Sequence, residues 1–258
     1  MVIAISWSLY PGSPNANTMF AGMAEGSQPS RIRGWSKRYL CKKNPLDLLL
    51  PAAEQYALAH TSAEDALLKE INDYTVQYHP EHHMLSGQLQ GKLLEMISCM
   101  IRPRRILEIG TFTGYSALCL SKGLTDDGEL HTIELRETDA LKARAFFDRS
   151  VQSRQIISHT GNALEIVPKL AENWDLVFID ADKPAYIQYF NLVFPHLRKN
   201  GFILADNIFF HGQVLEENVK GKSAIGIKTF NEFIKERTDI DKVVLTIRDG
   251  LYLIRKLN

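Results

Sequence analysis

The sequence predicts an α/β protein: a mostly parallel seven-stranded sheet with helices on both faces, ending in an antiparallel hairpin. Three observations carry this. From Arg105 onward, short apolar runs alternate with segments of helical length, the pattern of parallel strands joined by helical crossovers. The first run, Ile106 to Ile109, breaks at a turn from Gly110 to Gly114 and resumes as a helix. The last two runs flank Asp249-Gly250, a dipeptide that favours hairpin turns.

The chain has 258 residues, enough for one domain with a sizeable core. Residues 1–43 stand apart. They are rich in Ser, Gly, Pro and Asn, carry the basic cluster Arg31, Arg33, Lys37, Arg38, Lys42 and Lys43, and contain one acid, Glu25. This composition predicts a disordered extension. A transit peptide shares the composition, and a start at Met19 or Met23 would shorten it. The single folded domain is expected over 44–258, with N-terminal helices in 44–103 and the sheet in 104–258.

Within the first part, a helix is expected from Leu46 to His60, interrupted at Pro51. Thr61 and Glu64 have capping-box spacing and predict a second helix from Ala63 to Tyr78, with Leu67, Ile71, Tyr74 and Tyr78 on one face. A third is expected from Ser86 to Ile101, with Leu89, Leu93, Met96 and Met100 as its buried stripe. Strands are then expected at 105–110, 130–134, 155–159, 175–180 and 201–205, with helices at 114–123, 137–150, 162–171 and 184–198 between them. A last helix from Ser223 to Glu236 precedes two strands, Lys242 to Arg248 and Leu251 to Lys256.

Composition limits function. Lys plus Arg equals Asp plus Glu, so no net positive field attracts nucleic acid or an anionic membrane. No run reaches the length of a membrane span, and the N-terminus lacks a basic leader and cleavage site for secretion. The three cysteines, Cys41, Cys99 and Cys119, are scattered, without metal or disulfide spacing, which points to a reducing, cytoplasmic setting. Cys99 and Cys119 fall in apolar helical stretches and are expected in the core.

The chemistry-bearing residues sit where strands end. Gly110 allows close backbone approach, and the helix start after it presents free N–H groups. Glu108 is the one acid in its strand and suits a ligand with a positive group or hydroxyls. Glu134 closes the second strand, where an acid accepts hydrogen bonds from ribose hydroxyls of NAD or S-adenosylmethionine. The Gly-x-x-x-Gly turn lacks the third glycine of a dinucleotide fingerprint. The fourth and fifth strands deliver Asp180-Ala-Asp182-Lys183 and Asp206-Asn207. On neighbouring strands about 5 Å apart, Asp180, Asp206 and Asn207 converge into an oxygen-only site suited to Mg²⁺, Mn²⁺ or Ca²⁺. Lys183 stands at its edge, where a cation lowers a lysine's pKa and makes a neutral base.

Glu108-Ile-Gly-Thr-Phe-Thr-Gly-Tyr-Ser116, Glu134, Phe178-Ile-Asp-Ala-Asp-Lys183 and Ala205-Asp-Asn207 together resemble the cation-dependent O-methyltransferases of the caffeoyl-CoA and catechol group. The resemblance covers residues 60 to 258. It implies a Rossmann-like sheet binding S-adenosylmethionine. Glu108, Gly110, Thr111 and Ser116 would line the cofactor's methionine end, Glu134 its ribose and Ala163 its adenine. Asp182 would also touch it, and Met84 and Ser86 would fold over it. Asn162 departs from the acid that many relatives carry. Asp180, Asp206 and Asn207 match the metal ligands, with Mg²⁺ the expected ion, and Lys183 matches the base. A vicinal diol on an aromatic ring would chelate the ion, Asp180 taking part, and lose a proton before methyl transfer.

Acceptor specificity is expected from Asn207 to Gly226, where Phe209 and Phe210 could stack on an aromatic ring, and from His79 to His83, a polar loop capping the cofactor. The partner is then a small phenolic substrate, with the last helix and hairpin forming a homodimer. A hydroxylated uridine in tRNA is the second reading, which zero net charge opposes. A non-catalytic S-adenosylmethionine-binding protein is the third, which the intact metal trio and Lys183 oppose.

Overall fold

A strand with apolar side chains on both faces must be covered twice, and this requirement places Arg105–Ile109 in the interior of the sheet, with a strand on either side. The computed structural model describes residues 51–258; the expectations for residues 1–43 and for 46–50 fall outside them. The described residues form seven strands: β1 (Arg105–Ile109), β2 (Glu129–Glu134), β3 (Ile156–Thr160), β4 (Trp174–Ile179), β5 (Leu197–Asp206), β6 (Ile240–Leu245) and β7 (Leu251–Lys256). Their order is β3-β2-β1-β4-β5-β7-β6. The first five run parallel, and β7 turns antiparallel against both β5 and β6.

Among the described residues, eight α-helices surround the sheet: α1 (Pro51–Ala59), α2 (Ala66–Tyr78), α3 (Gly87–Ile101), α4 (Tyr115–Ser121), α5 (Glu137–Phe147), α6 (Ala163–Ile166), α7 (Tyr186–Val193) and α8 (Lys222–Glu236). Strand residues alternate between two cores. Ile106, Leu176, Phe178 and Leu204 pack under α2 to α5. Leu107, Ile109, Val177, Ile179, Ile203 and Ala205 pack under α6 to α8. Because β1 has β2 on one side and β4 on the other, the order of strand addition reverses at it. A crevice opens there beyond the strands' carboxyl ends. Among the described residues, no helix is long and apolar enough to cross a membrane.

Several local expectations are corrected. α1 is described from Pro51 to Ala59, and the part of the expected Leu46–His60 helix before Pro51, with the interruption there, lies outside the described residues. The capping box does not form. Asp65 caps α2 by accepting from Leu68 N, and Glu64 instead accepts from the Tyr115 hydroxyl and Asn72. On α2 the buried residues are Leu68, Ile71 and Thr75, and Tyr78 is exposed. On α3 the buried face is Gln90, Gly91, Leu94, Ile97 and Ser98, while Met96 and Met100 face outward. Cys99 shares that outer face; Cys119 is in the core as expected. Pro168 cuts the expected helix at 162–171 to one turn of α6 followed by a 3-10 turn. The last hairpin is joined through 246–250 rather than a two-residue turn, with Arg248 and Gly250 in left-handed conformations.

Candidate active site

The tips of β1 and β4 meet at Gly110. Asp180 N donates to Ile109 O, and a Cβ on Gly110 would stand 1.9 Å from the Asp180 carbonyl oxygen. With φ at +105°, only glycine fits that corner. A cavity of about 520 Å³ opens beyond it, the size of a small-molecule site.

One end of the cavity is lined by Gly110, Thr111, Phe112 and Ser116 from the first turn, with Glu134, Asn162, Ala163 and Asp182 from the next strand ends. Both oxygens of Glu134 accept backbone N–H groups, from Phe112 at 2.7 Å and Arg136 at 3.0 Å, so its carboxylate is fixed. Asn162 caps α6 by accepting from Leu164 N. The segment His83 to Ser86 closes this side. The Arg248 guanidinium holds it by donating to the carbonyls of Leu85 and Ser86. Met84 and Ser86 both line the cavity, and His79 pairs with Asp139 at 3.1 Å.

Glu108 is fully buried below the cavity wall, where it accepts hydrogen bonds from Ser116 at 2.6 Å and Thr132 at 2.5 Å. Burial pushes its pKa up to about 8, those two hydrogen bonds pull it down, and the charges of Asp180 and Glu134 raise it further. Glu108 thus sets the position of Ser116, which lines the cavity.

At the other end, Asp180, Lys183, Asp206 and Asn207 line the cavity together. Asp206 is 5% exposed, and burial followed by the charge of Asp180 holds its carboxyl well above the usual range. Gln90, reaching in from α3, donates to Asp206 Oδ2 at 2.8 Å. Asn207 has a φ of +56°, which turns the chain sharply out of β5. Lys183 Nζ donates to Asp180 Oδ1 and to the Tyr186 hydroxyl, each at 2.8 Å. The Tyr186 hydroxyl in turn donates to the Asp206 carbonyl at 3.0 Å, with the Ile179 carbonyl 3.3 Å away, tying together the tips of β4 and β5. Burial lowers the Lys183 pKa, but the charges of Asp180, Tyr186 and Asp206 raise it more. Without a cation beside it, Lys183 is thus held as a salt-bridged ammonium.

A buried carboxylate, Asp206, and a partly buried one, Asp180, beside an amide, all oxygen donors, leave negative charge that one lysine does not balance. This donor set fits a hard divalent cation. Phe210 and His211 border the same end. Phe209 does not reach the cavity: it packs against Gly250, where a Cβ would stand 2.4 Å from its ring. Sequence reasoning missed Gln90, Tyr186 and Arg248. Gln90 left one signal, a polar residue on what proved to be the apolar face of α3.

The strand order, the fixed acid ending β2 and the cavity at the β1 turn define the Rossmann-like fold of S-adenosylmethionine O-methyltransferases. TomG from Streptomyces achromogenes, an O-methyltransferase solved in complex with SAM, matches with a TM-score of 0.74 at 28% identity, over 80% of this chain and 96% of its own. The chain belongs to the O-methyltransferase family, whose model matches residues 58–257. A catechol O-methyltransferase from Niastella koreensis is 33% identical over 186 residues, covering 70% of this chain and 83% of the relative. A probable caffeoyl-CoA O-methyltransferase from Dictyostelium discoideum is 30% identical over 211 residues, covering 79% and 91%.

Proposed function

We propose that this enzyme uses a divalent cation to methylate one hydroxyl of a small catechol-like or hydroxycinnamoyl acceptor, with S-adenosylmethionine as donor. The observation that carries the reading is the meeting of Asp180, Asp206, Asn207 and Lys183 at one end of a cavity whose other end is the cradle of Gly110, Thr111 and Glu134. The names of the relatives, catechol and caffeoyl-CoA O-methyltransferases, support the acceptor class.

Asp180, Asp206 and Asn207 would hold the cation, Mg²⁺ by its preference for oxygen donors. Bound there, it supplies a Lewis acid that lowers the pKa of an acceptor hydroxyl. Glu134, fixed by two backbone N–H groups, presents its carboxylate to ribose hydroxyls. Asp182, Ala163 and Met84 flank the same ligand, and Ser116, set by Glu108, holds its amino-acid end. Lys183, whose Nζ donates to Asp180 and the Tyr186 hydroxyl at 2.8 Å, would receive the acceptor's proton as the neutral amine, a form that a cation on Asp180 and Asp206 would favour by offsetting the charges that raise its pKa. Phe210, His211 and Arg248 border the acceptor, and the segment His83 to Ser86 excludes water from the reacting atoms.

The test is a methyl-transfer screen over simple catechols, hydroxycinnamoyl thioesters and hydroxyuridine-containing RNA, each with Mg²⁺. Turnover of catechols or thioesters supports the reading. Turnover of the RNA alone would replace it with the tRNA reading.

A further inference from the structure

The amino end of the sheet, opposite the cavity, gathers polar groups that methyl transfer does not use. Glu129 and His131 stand two residues apart on β2 and share a face, and Glu172 comes from the segment entering β4. Each offers a ligand atom, and these atoms lie within 4.8 Å of one another.

His131 gives the cluster its direction. It is 8% exposed, its ring stacks on His159 with centroids 5.3 Å apart, and Trp174 packs edge-on against it. Its Nδ1 lies 3.1 Å from His159 Nε2. With Nδ1 donating to His159, Nε2 carries a free lone pair. That atom is buried, has no hydrogen-bond partner, and faces Glu129 Oε2 at 3.6 Å, beyond hydrogen-bond reach. Burial lowers the pKa of both histidines, which keeps the lone pair available. A tetrahedral zinc site, with metal–ligand distances of about 2.0–2.1 Å, separates its ligand atoms by about 3.4 Å.

Arg105 is the competing group. Its Nε lies 3.1 Å from Glu172 Oε2 and its Nη2 3.7 Å from Glu129 Oε2, while Nη1 donates to the carbonyls of Arg104 and Asp127. It offsets one of two carboxylate charges, and its own Nε is also buried without a well-formed hydrogen bond. The cluster therefore keeps one net negative charge and an unused ring nitrogen.

We propose that Glu129, His131 and Glu172 form a second metal site, for a borderline transition-metal ion of the zinc class, that staples β2 to the segment entering β4. The imidazole separates it from the oxygen-only site at the other end of the sheet: nitrogen favours zinc or cobalt over magnesium. Arg105 holds the affinity down.

The test uses cobalt(II) as a spectroscopic probe on the full chain in excess Mg²⁺. The wild type and Asp206→Ala are each expected to bind one equivalent, with visible bands of a low-coordinate ion and a raised melting temperature. His131→Gln and Glu172→Gln are each expected to weaken binding tenfold or more, and Arg105→Gln to strengthen it. Should His131→Gln fail to fold by circular dichroism, the partly exposed Glu172 decides alone. No cobalt bound in excess Mg²⁺, or undiminished binding in Glu172→Gln, overturns the proposal.

Discussion

Gln90 spends a buried side chain on one contact, its amide against Asp206 Oδ2 at 2.8 Å. An amide that fixes a metal ligand's carboxylate typically matters by about 10–100-fold in metal affinity. Gln90→Leu is therefore expected to weaken Mn²⁺ binding on that scale, read by titration, while S-adenosylhomocysteine binding stays within a few-fold. Glu108 makes a different prediction. Its native pKa of about 8 lies above the usual 4.5, so between those values the native state keeps a proton that the unfolded chain releases. Stability contributed by this group is full below about pH 4.5 and is lost as pH rises to about 8, by up to about 5 kcal/mol. Urea midpoints of the ligand-free protein should fall between pH 5 and pH 8.5, and Glu108→Gln should flatten that fall.

At the scale of elements, the turn after β1 is the most constrained. A Cβ at Gly110 would meet the Asp180 carbonyl at 1.9 Å, so Gly110→Ala must push β1 and β4 apart. A loss of more than about 2 kcal/mol is expected by chemical denaturation, together with loss of S-adenosylhomocysteine binding. This turn was legible in the sequence because strand, glycine and helix follow one another locally. The acids at the ends of β2, β4 and β5 were legible for the same reason: each sits beside an apolar run that announces its strand. The face of α3 was not legible. Leu89, Leu93, Met96 and Met100 form a helical stripe, but the neighbouring face carries Gln90, which meets Asp206 from 116 residues away, and Gly91, where a Cβ would stand 2.5 Å from the Tyr115 ring. Tertiary partners chose that face, and periodicity does not record them. Phe209 fails likewise: its place under Gly250 depends on a hairpin that closes 41 residues later.

Across the whole molecule, the parallel strands point their carboxyl ends at one crevice, so residues far apart in sequence become neighbours. The fold class and most of the candidate site follow from that single topological fact, which the strand–helix alternation announces. Assembly is carried by other residues. Ile225 on α8 and Val243 and Val244 on the edge strand β6 are exposed apolar side chains on the elements proposed for a homodimer. Light scattering is expected to give twice the chain mass for the wild type and a shift toward monomer for Val243→Asp. The account as a whole rests on a divalent cation held by Asp180, Asp206 and Asn207 beside the bound methyl donor. The most direct measurement is the initial rate of catechol methylation by chelator-stripped protein as Mg²⁺ is added back, in the wild type and in Asp206→Ala. The expected result is a saturable Mg²⁺ requirement in the wild type and a rate lower by about 100-fold or more in the variant, with S-adenosylhomocysteine binding retained. Full activity in chelator, or a variant that turns over normally, would contradict it.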